Sequence, residues 1–229
     1  MAKMQFFKYE GLGNDFILIP QKPCLSPEQI RNYCDRHFGI GADGVIFVYL
    51  DSLWTLKIFN SDGSSAQQCG NGIRCVAQWL LDQGHELSTI QTDSGLKGVK
   101  QDFGSWSIDM GVAKINGNEV SLGNPHRVFL GPVEPNCIDP ELNTEFVQIK
   151  NSHEIDIRVF ERGVGETLAC GTGACASVAW LVSQNQLPAD QEITVHLKGG
   201  NLYITARPSA DGLQVQMKGP ARYVFQGEV

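Results

Sequence analysis

The stretch Leu56-Lys57-Ile58-Phe59 leads, ten residues after its phenylalanine, to Cys69-Gly70-Asn71-Gly72 and runs on to Trp79-Leu80. At an offset of 101 residues the same order returns: Ile157-Arg158-Val159-Phe160, then Cys170-Gly171-Thr172-Gly173, then Trp180-Leu181. Phe59 pairs with Phe160, Cys69 with Cys170, Gly72 with Gly173 and Trp79 with Trp180, without a gap. A lone CGxG match is weak evidence, but one carrying its flanking Phe, Trp and Leu in register indicates an internal repeat. Two structural halves follow, each built on one strand–loop–helix unit.

Around that unit the pattern is strand-rich. Leu53–Asn60 and Glu154–Glu161 read as strands, and Gly72–Gln83 and Gly173–Gln184 as the helices that follow each CGxG. Further strands are expected at Gln5–Lys8, Phe16–Pro20, Gly44–Leu50, Gly104–Met110, Arg127–Leu130, Glu145–Lys150, Glu192–Leu197, Leu202–Arg207 and Gln214–Lys218. Pro27–His37 reads as a helix with Ser26 as N-cap and Pro27 at the first helical position. Pro132–Pro140, with three prolines, reads as a surface loop. Few helices among many strands predict an α+β fold in two similar lobes.

Length and composition narrow the class. The 229 residues suit one or two domains, and 42% hydrophobic with 19% charged residues is globular rather than disordered. Eighteen Lys+Arg against 25 Asp+Glu, a net charge of −7, argues against general nucleic-acid binding. No apolar run reaches the ~18 residues of a membrane span. Met1–Glu10 lacks the apolar core of a leader, so a cytoplasmic protein is expected. The 25 glycines, about 11% against a usual ~7%, cluster at Gly11-Leu12-Gly13, Gly39-Ile40-Gly41, Gly70-Asn71-Gly72 and Gly171-Thr172-Gly173. Such clusters mark tight turns or close approach to a ligand. The seven cysteines form no CxxC pair, and a disulfide framework is not expected. Five of them, 24, 34, 75, 137 and 175, read as small buried apolar residues.

Cys69 and Cys170 are different, because each stands immediately ahead of a helix. The positive end of a helix stabilises a thiolate, and its free N–H groups form a ready site for a carboxylate or phosphate. Two thiols flanking one carbon suit a racemase, one removing the α-proton and the other returning a proton from the opposite face. The carbanion charge would spread onto the substrate carboxylate, where helix N-termini stabilise it. Gly11-Leu12-Gly13 lacks the third glycine of GxGxxG and no GKS or GKT occurs, so no nucleotide fingerprint is present. No cofactor is required, although spacing alone leaves a pyridoxal lysine open. Two non-catalytic readings stand beside this one: a zinc site from Cys69, Cys75, Cys170 and Cys175, and a Cys69–Cys170 redox pair.

With these residues assembled, the chain closely resembles the diaminopimelate epimerase family. The matching stretches are Gly11-Leu12-Gly13-Asn14-Asp15-Phe16, Gly39-Ile40-Gly41-Ala42-Asp43-Gly44, Phe59-Asn60-Ser61-Asp62-Gly63-Ser64 and Gln68-Cys69-Gly70-Asn71-Gly72-Ile73-Arg74-Cys75. They continue with Gly123-Asn124-Pro125-His126, Glu161-Arg162-Gly163-Val164-Gly165-Glu166-Thr167, Ala169-Cys170-Gly171-Thr172-Gly173-Ala174-Cys175-Ala176 and Gly219-Pro220-Ala221.

The resemblance implies a cofactor-independent enzyme that interconverts LL- and meso-diaminopimelate at one α-carbon, in lysine and peptidoglycan precursor synthesis. It implies Cys69 and Cys170 as the catalytic pair, with His126 and Glu161 tuning the thiols. It places Gly70, Asn71, Gly171 and Thr172 on the reacting carboxylate, and substrate contacts at Asn14, Asn60, Asn124, Asn143, Glu161 and Arg162. An arginine can grip a carboxylate bidentately and a glutamate can meet an ammonium group. The fold implied is two pseudo-symmetric α+β lobes, each a twisted sheet around a central helix, with the active site between them. Residues 1–112 with 219–229 would form the N-terminal lobe, to which a strand near Arg222–Gln226 returns, and residues 113–218 the C-terminal lobe. The expected partner is a small-molecule amino acid, with no metal, nucleic acid or membrane; a homodimer is a permitted assembly.

The chain also departs from the family pattern. Tyr9-Glu10 stands where Met-His is frequent, Gly44 where many members have a substrate-contacting glutamine, and Arg127 where a small or apolar residue is common. Met110–Leu122 replaces a much longer connection. Gly44 and the short connection motivate a racemase of another amino acid on the same scaffold as the alternative enzyme.

Overall fold

The computed structural model describes residues 3–229; Met1 and Ala2, part of the stretch read for a leader, lie outside the described residues. The chain divides into two compact units, Met1–Ile108 with Pro220–Val229, and Asp109–Gly219. The first boundary falls four residues before the expected 112/113, inside a strand rather than after it.

The first unit contains β1 (Gln5–Gly11), β2 (Asn14–Ile19), α1 (Pro27–Cys34), β3 (Gly44–Leu50), β4 (Trp54–Asn60), the two-residue β5 (Ser65–Ala66), α2 (Gly70–Asp82), β6 (Thr89–Thr92) and β7 (Gly95–Asp102). The strand β8 (Ser105–Asn116) carries the chain across the boundary. The second unit continues with β9 (Glu119–Ser121), β10 (Pro125–Leu130), a 3₁₀ turn (Pro135–Cys137), β11 (Asn143–Asn151), β12 (Glu154–Glu161) and the two-residue β13 (Gly165–Glu166). It closes with α3 (Gly171–Ser183), β14 (Glu192–Leu197), β15 (Gly200–Ser209) and β16 (Gly212–Gly219), after which β17 (Arg222–Glu228) belongs to the first unit again.

The two units share one topology. In the first, neighbours run β17-β1-β2-β3-β4-β6-β7-β8, and in the second β8-β9-β10-β11-β12-β14-β15-β16. The senses match step for step: antiparallel, antiparallel, parallel, antiparallel, parallel, antiparallel, antiparallel. A further pairing of β16 with β8 closes the second unit into a barrel. The repeat read over some 25 residues is thus the centre of a repeat that covers each whole unit.

Each sheet wraps one helix. In α3 every residue from Gly171 to Val182 except Trp180 is buried, and α2 is buried from Gly70 to Ala77 and again at Trp79 and Leu80. A helix with no polar face is stable only when enclosed, and each large apolar side chain so buried contributes about 1.5–3 kcal/mol.

Both central helices begin two residues earlier than the glycine pattern suggests. Cys69 and Cys170 are their N-caps in extended backbone, and each sulfur accepts the N–H of the third helical residue, Gly72 or Gly173, at 3.4 Å. The thiols therefore take the capping place that a Ser or Asp oxygen usually fills.

Helix α1, in contrast, stops at Cys34 rather than His37. The Asp35 carboxylate takes the N–H groups of His37 and Phe38 at 2.7 and 2.8 Å, offering the backbone an alternative to the next helical turn. At its start Ser26 and Gln29 form a reciprocal capping box. Ser26→Ala is expected to cost about 1 kcal/mol, read as a lower urea midpoint at unchanged slope.

The hairpin of β6 and β7 and the short β9 are not among the strands expected from the pattern; in β7 Gly, Lys and Gln dilute the alternation. The proline-rich loop is a loop apart from its single 3₁₀ turn. Two cysteines overturn the buried reading: Cys24 is exposed beside Gln21, and Cys137 is partly exposed, its thiol facing Glu134. Cys34, Cys75 and Cys175 are buried as expected. Burial pushes the Cys34 thiol up to about 11, and raises that of Cys75 further, so neither serves as a nucleophile.

Candidate active site: two half-sites on equivalent helix caps

In the first unit, Asn14 at the start of β2 approaches the α2 cap. Its Oδ1 accepts from Asn71 Nδ2 at 3.1 Å and lies 3.9 Å from Cys69 Sγ, while its Nδ2 donates to Asp43 Oδ2 at 2.9 Å. Because a carboxylate only accepts, Asp43 fixes which way the Asn14 amide points and turns its oxygen toward the cap. Asp43 is itself held by Arg36 at 2.7 Å and by the Asp15 N–H at 3.1 Å. Arg36 spans both oxygens of Asp15, at 2.8 and 3.1 Å, and buried Lys8 meets Asp15 at 2.7 Å. Gly70 and Asn71 form the buried first turn of α2. Asn60, at the exposed end of β4, bonds to Ser64 Oγ at 2.9 Å within its own turn, so the structure links it to the turn rather than to the cap.

In the second unit, Cys170 Sγ lies 3.4 Å from Thr172 Oγ1, which accepts from Asn124 Nδ2 at 3.2 Å. Asn124–Thr172 thus repeats the Asn14–Asn71 contact. Gly171 and Thr172 are buried in the first turn of α3. His126 is fully buried on β10, its Nδ1 2.6 Å from Oε1 of equally buried Glu145. Glu161 accepts from the Thr167 hydroxyl at 2.6 Å. Asn143 Oδ1 accepts the backbone N–H of Arg162 at 2.9 Å, and Arg162 itself is exposed.

One electrostatic expectation is corrected here. The cap geometry predicts thiols with lowered pKa, yet the Cys170 thiol stands well above its ordinary value. Burial is the main cause, followed by the charges of Glu161 and Glu145; the Thr172 hydroxyl and the Gly173 N–H pull the other way without prevailing.

Glu145 and Asp43 are the residues that sequence reading passed over. Glu145 was legible in principle, since it lies two residues from Asn143 on one strand and so on the same face. Asp43 had no such signal, because its role depends on a contact across β2 and β3. The departures from the family pattern are also absorbed locally. Tyr9 donates to Asp82 at 2.6 Å, Glu10 takes the Gly13 N–H at 2.9 Å, and Arg127 is paired with Glu119 and Asp139 at 2.6 and 2.7 Å. Gly44 leaves room only for backbone, since a Cβ there would lie 2.5 Å from the Phe59 carbonyl oxygen. Among the described residues, no group of three or more His, Cys, Asp or Glu side chains is placed to hold a metal ion, and no helix is long and apolar enough to cross a membrane.

The architecture has known counterparts. A Bacillus anthracis phenazine biosynthesis protein of the PhzF family matches with a TM-score of 0.81 at 15% identity, covering 100% of this chain and 99% of that one. A hydroxyproline epimerase from Agrobacterium vitis matches at 0.73 and 13% identity, covering 99% and 92%. At such identities the likeness establishes the fold. A protein named diaminopimelate epimerase from Rippkaea orientalis is 42% identical over 280 residues, spanning 98% of both chains. Fold and relatives together define an isomerase of the epimerase type. Residues 6–116 and 138–224 match the model for diaminopimelate epimerase, and the chain belongs to that family. Its 229 residues against an aligned span of 280 agree with a shortened member.

Proposed function

We propose that this protein interconverts LL- and meso-2,6-diaminopimelate by two-base proton transfer between Cys69 and Cys170. The observation that carries the reading is the pair of equivalent N-cap cysteines, each with its sulfur held by the N–H of the third residue of a central helix, in a chain of this family. One cysteine, as thiolate, takes the α-proton and becomes a thiol. The other, as thiol, gives its proton to the opposite face of the same carbon and becomes a thiolate. The electron pair left on the α-carbon delocalises into the adjacent carboxylate. N–H groups in the first turns of α2 and α3, at Gly70, Asn71, Gly171 and Thr172, suit that developing charge. Asn14 and Asn124 act beside the caps, and Asn60, Asn143, Glu161 and Arg162 serve the rest of the substrate. Loss of the α-proton without such stabilisation is slow, and one well-placed donor is worth about 3–4 kcal/mol. The mechanism needs Cys69 and Cys170 as reduced thiols, which suits a reducing, cytoplasmic compartment.

Proton NMR of the reduced protein with LL-diaminopimelate in D₂O tests the reading. Loss of the α-proton resonance with growth of the meso isomer is expected. Folded, fully reduced protein that leaves the α-proton in place overturns it.

A further inference from the structure

The two half-sites match in their caps and differ beneath them. Ile58 and Val159 are equivalent across the repeat, and their ladder partners are Ile46 in the first unit and Glu145 in the second. Two residues before these stand Gly44 and Asn143, whose parallel partners are Phe16 and His126. Directly paired residues share a face of the sheet. The positions filled by Phe16 and Ile46 in the first unit are therefore filled by His126 and Glu145 in the second. The contact with the helix is also conserved in place and changed in kind. A Cβ on Gly72 would lie 2.8 Å from Ile46 Cδ1, and a Cβ on Gly173 would lie 2.5 Å from Glu145 Oε1.

A buried, hydrogen-bonded acid–base pair thus stands where the repeat otherwise carries hydrocarbon. Both side chains are fully buried, and His126 Nε2 and Glu145 Oε2 have no hydrogen-bond partner among the described residues. Leaving such atoms unmatched is costly, so the pair is not explained by stability alone. The Glu145 carboxylate packs against Gly173, whose N–H holds the Cys170 sulfur. It competes with a thiolate for the same positive helix end. The other groups acting on that sulfur are Glu161 of β12 and the Thr172 hydroxyl and Gly173 N–H of α3.

We propose that Glu145 is a positioning residue, acting through His126 and Gly173, that makes the two thiols unequal, so that in the ligand-free protein Cys170 rests as the proton-carrying thiol. Its carboxylate holds the proton of His126 on Nδ1 and presents negative charge behind the Cys170 cap, where the first unit presents Ile46. The proposal rests on the two-thiol reading above, but its test needs no diaminopimelate and so fails separately from it.

The experiment is the pH profile of iodoacetamide alkylation, resolved by mass spectrometry for the Cys69 and Cys170 peptides. In Glu145→Gln the Cys170 midpoint is expected to move down by about one pH unit, an approximately tenfold faster alkylation at pH 7.5. The Cys69 midpoint should stay where it is, and Glu145→Asp should restore the Cys170 midpoint toward the parent value. Should Glu145→Gln fold poorly, the double variant His126→Phe/Glu145→Ile, which installs the first unit's own apolar pair, replaces both partners at once and should show the same Cys170 shift. An unmoved Cys170 midpoint in the folded variants overturns the proposal, and so does an equal shift at both cysteines.

Discussion

Cys69→Ala and Cys170→Ala are each expected to lower the rate of full epimerisation by at least 10²–10⁴-fold, the range that a positioned acid or base supplies. On the proposed two-base reading each sulfur supplies the proton exchange of its own cap, and neither substitutes for the other. The single variants should still fold, because an N-cap loss costs only about 1 kcal/mol and both helices are held by their buried surfaces. Single-thiol variants separate the two halves of the reaction. A variant with one working sulfur can exchange the α-proton of one stereoisomer for deuterium without inverting it. Serine in either place should allow only slow exchange, since a hydroxyl is scarcely ionised at neutral pH whereas a thiol can supply the anion that takes the proton. Normal turnover in either alanine variant would refute two-base catalysis by these sulfurs.

Asp15→Ala is expected to destabilise the first unit by about 3–5 kcal/mol, the usual result of removing one partner from a buried ion pair. Lys8 is only 4% exposed, and without Asp15 its ammonium keeps the Gly41 carbonyl as its partner. Arg36 loses its bidentate contact at the same time. Urea unfolding at pH 7 measures the loss. Lys8→Met/Asp15→Leu should regain part of it by replacing the pair with hydrocarbon.

The same carboxylate sets an acid limit. Burial pushes Asp15 up, but hydrogen bonds and charge from Arg36 and Lys8 outweigh it and hold the group at about 2, below its ordinary 3.8. A folded value below the unfolded one means stability fully present above the unfolded value and lost as pH falls through about 2. The contribution is about 2 kcal/mol at neutral pH. In Asp15→Ala the stability lost between about pH 5 and pH 2 should shrink by that amount, and an unchanged acid slope would show that Asp15 carries none of it. Because Arg36 also holds Asp43, which orients Asn14, the network joins this stability to the first half-site.

The primary structure by itself determined the repeat, the strand–loop–helix unit at its heart, and the two cysteines that stand ahead of its helices. These are local facts: strand alternation, glycines that free the backbone, and thiols standing where a helix must begin. It did not determine where the central helices start, because that depends on the sulfur of each cysteine accepting an N–H three residues on. Nor did it reveal that the whole of each unit repeats, since strands such as β7 and β9 carry little alternation and gain their structure from neighbours in the ladder. The polarity of the two half-sites was the most hidden feature. Residues 16 and 126, or 46 and 145, show no likeness in sequence, and only pairing across parallel strands puts them in equivalent places. Likewise Cys170 is raised rather than lowered because burial and two carboxylates outweigh the helix end. Local pattern describes what one segment can do; the charge felt at a sulfur depends on side chains brought up from two other strands.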